Sequence, residues 1–466
     1  MVLGLVLWSC GDEHTITTSS PEALAAYNEG VARLELFYYA EAKASFERAL
    51  QADSNFAMAL ARLAHVHQRT ENEDAARATI ARALQKAGTS SRYEQMFIRL
   101  HDHLLHYRYH EAGAVADSLI MLYPKNAEAY VLRGIIYEMT KNFDAALDVY
   151  TRGVEADTAY APATMSLGYA YSARGDFDKA IDAMERYIRL VPNEADPRAS
   201  YADILLRVGR YDEAFNEYQR SLALKPDYWY SIARLGDVYT IWGRLNEAKQ
   251  QYRSARARMV MNNQTSASYI ATEAILALQR GNYEESLRLC EQSLALDSAN
   301  LKAAFVIVFA RLKQKKYSDV EALIEQLRSE IARRNLGEST VMLEFHLLRA
   351  RLLNEQSLFE QALASCDSAM EYGSEFARTD VYLMQGIIFQ KKGDNEEALD
   401  ALEGALRYNA AAPEALLTLT KVYKAMGDRK MTNSIAQRLF DLWKNADSDF
   451  QSLIELKKLV GAPNAS

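Results

Sequence analysis

An all-α solenoid of about twelve helix–turn–helix units is the fold this sequence predicts, and three observations carry it. Pro and Gly number only 8 and 20 in 466 residues, both below ordinary usage, and these are the residues that interrupt helices. Alanines recur with a spacing of 34 residues, at Ala146, Ala180, Ala214 and Ala248. The apolar fraction, 49%, is that of a globular chain and excludes disorder. Length alone would suggest about three domains, but a period of this size means stacked repeats sharing one continuous core.

Charge and cysteine content remove other classes. Lys and Arg number 54 against 62 Asp and Glu, a net charge of −8 without blocks of one sign. That argues against a general nucleic-acid binder, which needs a basic face to displace counterions. Three Cys cannot form a disulfide framework.

The chain opens with MVLGLVLWSC, an apolar run from Val2 to Trp8 that ends at Cys10. It is far short of the ~20 residues a membrane-spanning helix needs and fits the apolar core of a secretory signal. Leu7-Trp8-Ser9-Cys10 resembles a bacterial lipobox, which implies that residues 1–9 are a signal segment and that Cys10 is acylated. Residues 10–21, rich in Ser and Thr, read as a polar tether between lipid and fold.

From residue 22 to 446 the repeat fills the chain. Residues equivalent to the spaced alanines are Ala42, Ala76, Ala112, Ala146, Ala180, Ala214, Ala248, Ser286, Val320, Ala362, Ala398 and Thr432. An aromatic residue precedes many of them by three, as in Phe143, Phe177 and Tyr211. A small residue comes earlier (Gly134, Gly168, Ala202), and a large one four later (Tyr150, Met184, Tyr218). Turns are expected at Asn142, Gly175 and Gly209, and Pro192 and Pro226 stop second helices. This pattern is similar to that of the tetratricopeptide repeat family, and the resemblance implies a right-handed superhelix of paired helices. Residues 22–258 hold units one to seven. Residues 259–446 hold units eight to twelve, with longer joints at Met259–Ser266 and Arg328–Thr340. Residues 447–466 read as a C-terminal capping helix and tail. Small residues let paired helices approach, and most of the 28 Tyr are expected to fill the space between them.

No motif for catalysis stands out: there is no phosphate loop, zinc-protease helix or nucleophile elbow. The reading is therefore not an enzyme, and no cofactor is expected. Cys290 and Cys366 occupy the same inward place and read as small buried fillers. Five of the eight His lie in the first helices of units two and three. His65 and His101 hold the ninth place of adjacent units and are expected to be neighbours; a metal site or a pH-responsive patch is conceivable there. His103, His106 and His110 share one helical face.

In the family it resembles, the concave wall lined by first helices binds extended peptides or partner helices. Carried onto this chain, that wall shows Val131, Ile135, Met165, Tyr169, Phe305, Phe309, Leu383 and Ile387 as apolar pockets. Asp203, Tyr230, Arg234 and Asp237 form an acidic-to-mixed centre suited to an apolar or partly basic segment. The sequence thus predicts a non-catalytic scaffold or adaptor for protein or peptide partners, anchored in the bacterial envelope only through the lipid on Cys10. A cytosolic regulatory solenoid that captures a partner enzyme or peptide is the alternative.

Overall fold

The computed structural model describes residues 16–70, 73–258, 263–298, 300–333 and 341–461. Among them are 25 α-helices and no strand, an all-α solenoid. Cys10 and the expected signal segment lie outside the described residues, as do residues 259–262 and 334–340 of the longer joints.

Helices come in pairs, one pair per repeat. In order they are α1 (Pro21–Glu35) and α2 (Tyr39–Ala52), α3 (Ala57–Arg69) and α4 (Glu73–Lys86), α5 (Arg92–Leu105) and α6 (Tyr109–Leu122), α7 (Ala127–Met139) and α8 (Phe143–Ala156). Next come α9 (Ala161–Arg174) and α10 (Phe177–Leu190), α11 (Ala195–Arg207) and α12 (Tyr211–Leu224), α13 (Trp229–Ile241) and α14 (Leu245–Arg256), α15 (Asn263–Gln279) and α16 (Tyr283–Leu296). The last pairs are α17 (Leu301–Lys313) and α18 (Tyr317–Arg333), α19 (Val341–Glu355) and α20 (Phe359–Met370), α21 (Arg378–Lys392) and α22 (Asn395–Leu406), α23 (Pro413–Ala425) and α24 (Arg429–Leu442). A single helix, α25 (Gln451–Val460), follows.

The repeated residues do the packing the sequence assigned to them. Ala42, Ala76, Ala112, Ala180, Ala214 and Ala248 have no exposed surface at all. The small residue of the first helix faces the large one of the second: a Cβ on Gly134 would overlap the Tyr150 ring, and one on Gly168 would lie 2.8 Å from Met184 Cε. Each described turn within a pair ends the first helix the same way. Its residue takes positive φ, and the next N–H reaches back five residues, as Asp176 does to Tyr171 at 2.9 Å and Arg210 to Leu205 at 2.9 Å. In repeat four the positive-φ residue is Lys141, so the turn sits one residue before the expected Asn142. Phe37, Tyr107, Lys141, Lys315 and Ser357 tolerate this conformation in repeats one, three, four, nine and ten, whereas repeats five to eight, eleven and twelve use Gly175, Gly209, Gly243, Gly281, Gly393 and Gly427.

Contacts divide the chain into two bodies, one ending at Leu167 and one beginning at Gly168. In the first, the end of the segment read as a tether is hydrogen-bonded to the fold before α1 begins. Thr17 donates through N–H and Oγ1 to the two carboxylate oxygens of Glu94, at 2.8 and 2.5 Å, and Thr18 Oγ1 donates to Asp53 at 2.6 Å. Glu94 is also the reciprocal partner of Ser91 in the capping box that starts α5.

In the second body the chain returns upon itself. Residues 376–451 lie on the turns of repeats five to eight. Phe376 N–H donates to Ala173 O at 3.0 Å, Asp447 N–H to Gly243 O at 3.0 Å, and Trp443 Nε1 to Ile241 O at 3.0 Å. Asn409 Nδ2 donates to Tyr211 Oη at 3.0 Å. Arg280 pairs with Asp447 at 2.7 Å and Asp449 at 2.6 Å, and Gln451 donates to Arg280 O at 3.0 Å. Leu245, Ala248, Tyr252 and Leu276 share one core with Leu416, Leu439, Trp443, Phe450, Leu453 and Leu456. The paired residues are 167 to 204 positions apart, close to five repeats of 34 for the Arg280 pairs and six for the others. This closure explains the glycines: a Cβ on Gly209 would strike the Asn409 side chain, and one on Gly243 would lie 2.6 Å from Phe450 Cδ1. The last helix therefore does more than cover the final repeat. It seals repeats seven and eight.

Candidate partner-binding face

Within each body, ninth places of adjacent repeats meet along the first helices. His65 and His101 stack with ring centroids 5.3 Å apart. One body further on, Tyr169 Oη donates to Asp203 Oδ2 at 3.0 Å. Arg234 links Asp203, at 2.8 Å through Nε, to Asp237, at 2.5 Å through Nη1. The Arg351 guanidinium lies 5.3 Å from the Phe309 ring centroid. Equivalent positions in adjacent repeats are thus neighbours, as stacking requires.

Asp203 is the centre of the strongest cluster. Besides Tyr169 and Arg234 it accepts from Tyr218 Oη at 2.5 Å and Tyr230 Oη at 2.5 Å. An ionised carboxylate offers about four acceptor sites, and four donors meet this one, whose residue is 3% exposed. Burial, and then the Asp203 charge, push the Tyr169, Tyr218 and Tyr230 phenols well above their ordinary value, so they remain donors. Burial works against the charge of Arg234, but Asp203 beside it prevails and holds the guanidinium firmly protonated. The expected open acidic centre is therefore partly spent. Asp203 has nothing left for a partner, whereas Asp237, held by Arg234 and by Tyr252 Oη at 2.6 Å, keeps a side chain 34% exposed.

A second carboxylate, Asp196, is buried below this cluster and accepts from Tyr187 Oη at 2.9 Å and Tyr228 Oη at 2.7 Å. Burial pushes its carboxyl up to about 6 against the pull of those two hydroxyls. Tyr187, Tyr218, Tyr228 and Tyr252 read in the sequence only as packing. Their hydroxyls are polar partners as well. The signal that could have found them was an Asp at the ninth place, fifteen residues before the second-helix Tyr, in both repeat six (Asp203, Tyr218) and repeat seven (Asp237, Tyr252).

In the first body, Arg62 lies 4.4 Å from the Phe97 ring centroid and forms two bonds to Glu128, at 2.6 and 2.8 Å. Burial, then His101, Arg69 and Arg62 beside it, hold His65 well below its ordinary value; burial and then Arg62 hold His101 at about 3. Both imidazoles are neutral, with His65 Nδ1 and His101 Nε2 buried without a hydrogen bond. Among the described residues no three His, Cys, Asp or Glu gather as a metal site would require. His106 instead ends α5, its Nδ1 2.8 Å from Asp102 O.

The apolar residues expected on the wall are half-buried rather than free. Val131 is buried, Ile135 and Met165 half-buried. Phe305 and Phe309 pack on the core shared by α17, α18 and α19, Leu383 on that of α22 and α23, and Ile387 on that of α20 and α21. Beyond Phe309 the wall is acidic: Glu344, Asp380 and Glu414 are exposed around Arg351, which pairs with Glu414 at 3.4 Å. Surrounding protein, then Glu344 and Glu414, push the Asp380 carboxyl up to about 6. Cys290 and Cys366 are both free and buried, filling the inward place assigned to them.

A solenoid of paired helices, stacked repeat on repeat, defines a helical-repeat protein. Residues 106–161, 165–232 and 383–419 match a family model described as tetratricopeptide repeat, and residues 34–96 match a second model of the same description. The chain carries tetratricopeptide repeats, and proteins built from them are generally protein-interaction scaffolds. No curated protein matches the chain. Among solved structures it is similar to yeast Tom70, at 12% identity over 94% of this chain and 95% of that one, with a TM-score of 0.38. It is similar to a tetratricopeptide repeat protein of Parabacteroides merdae, at 17% identity over 61% and 99%, TM-score 0.37. A thermophilic repeat protein of Thermus thermophilus is 19% identical over 47% and 99%, TM-score 0.31.

Proposed function

We propose that this chain is a non-catalytic scaffold, held at a bacterial envelope through an acylated Cys10, that takes a basic or apolar partner segment on its first-helix wall. The observation that carries the partner's chemistry is the wall of repeats nine to twelve. There Phe305 and Phe309 share the wall with three exposed carboxylates, Glu344, Asp380 and Glu414, grouped around Arg351, while the lysines at equivalent places are engaged, Lys302 with Thr272 and Lys421 with Glu455. Half-buried aromatics supply apolar area, and surplus negative charge steers a Lys- or Arg-bearing segment.

Two measurements test this reading. Metabolic palmitate labelling should mark the native protein and be lost in Cys10→Ser, which should also leave the membrane fraction; equal labelling of both would end the anchor assignment. A Lys- and Leu-containing peptide should bind the purified chain and lose about tenfold in affinity in Glu344→Gln with Asp380→Asn, from two screened charge contacts. Unchanged binding would end the wall assignment.

A further inference from the structure

A second opening lies away from the first-helix wall. Between the second helices of repeats seven and eight is a cleft of about 810 Å³, walled by α14 and α16 and floored by α15. That is the size of a ligand pocket and far larger than an inorganic anion. Its apolar lining is Ile270 on α15 and Leu289 on α16, both largely buried, with Glu273 beside Ile270 on α15.

The rim is basic. Lys249, Arg253 and Arg256 come from α14, and Arg288 from α16. Two carboxylates answer them. Glu285 is engaged by Arg288 through two bonds of 2.7 Å each, and Glu273 by Arg253 at 3.1 Å, with Lys249 more distant from Glu273 at 3.9 Å. Four cations against two carboxylates leave a surplus of two positive charges, centred on Lys249 and Arg256. This happens in a chain whose net charge is −8, so the patch runs against the field of the whole.

We propose that this cleft is a docking site for an acidic polypeptide segment that carries apolar side chains between its carboxylates. The charge selects an anionic partner. The apolar lining would be wasted on a phosphodiester backbone, and Glu273 and Glu285 in the lining repel a densely charged polyphosphate. A peptide that sets Leu-like side chains on Ile270 and Leu289 and carboxylates near Lys249 and Arg256 uses both features. The site is separate from the wall that takes basic segments, so the two can be occupied by different parts of one partner or by two partners.

The test is fluorescence anisotropy with a short labelled peptide of alternating Glu and Leu, against the same peptide with Lys for Glu. The acidic peptide should bind the full chain, more weakly as salt rises, and lose at least about tenfold in affinity in Lys249→Glu with Arg256→Glu. The neutral pair Lys249→Gln with Arg256→Gln should lose less, which guards against damage from the reversed charges, and circular dichroism should be unchanged in both. No binding by the native chain, equal binding in both variants, or equal binding of the Lys peptide would overturn the proposal. Displacement by tripolyphosphate at matched charge would overturn its polypeptide part. Failure here leaves the first-helix wall untouched, because none of these residues lies on it.

Discussion

Trp443 donates its indole N–H to the carbonyl of Ile241 at 3.0 Å, across 202 residues of chain. The ring is 2% exposed and packs edge-on against Phe450, with centroids 5.4 Å apart. Six repeats intervene, so this bond marks where the second body closes on itself. Removing the ring as Trp443→Ala should cost about 3–5 kcal/mol in urea unfolding. It should also speed hydrogen exchange at the turns around Gly209 and Gly243, which an open solenoid would leave unaffected.

Glycine substitutions separate closure from local turn strain. Gly209 and Gly427 have φ of 80° and 79°, but a Cβ would meet Asn409 and Ala411 at the first and nothing within 4 Å at the second. Gly427→Ala should cost about 1–2 kcal/mol, the left-handed penalty alone. Gly209→Ala should cost that plus roughly 1–3 kcal/mol of overpacking. Equal losses would show that the contact at Asn409 yields without strain.

The Asp203 cluster should be intolerant at its centre and tolerant at its edge. Asp203→Ala leaves the Arg234 charge without its main partner and three phenols without an acceptor, an expected loss of roughly 3–5 kcal/mol. Tyr169→Phe removes one hydrogen bond and should cost about 1 kcal/mol. Denaturant midpoints at unchanged m-value check both.

Acid should weaken the first body through its buried imidazoles. His101 is held at about 3, below its ordinary 6.5, so the unfolded chain binds the extra proton. The stability from this group is complete above pH 6.5 and drains as pH falls towards 3. Between pH 6.5 and 4.5 the loss is about 2–3 kcal/mol. His101→Phe should show a shallower decline over that window. Asp196, in the second body, acts oppositely: its carboxyl is raised to about 6, so its contribution is full below its ordinary value and fades as pH climbs through 6. Asp196→Asn should flatten that rise-linked loss.

The repeat was legible in the sequence because the spacing of Ala146, Ala180, Ala214 and Ala248 fixes the helix pairs locally. A small residue must sit opposite a large one wherever two helices cross closely, and Gly134 with Tyr150 follows from that rule alone. The neighbourhood of His65 and His101 was legible too, since equivalent places in adjacent repeats must stack.

Pairing within a repeat and between adjacent repeats is thus written in local spacing, because those contacts span at most about one period. What Asp203 does emerges only in the folded chain, since its four donors come from three helices and exhaust it. Only the tertiary structure showed that Gly175, Gly209 and Gly243 are covered by a chain some 200 residues away. Such contacts arise from a small rotation added at every repeat. No single repeat encodes their sum.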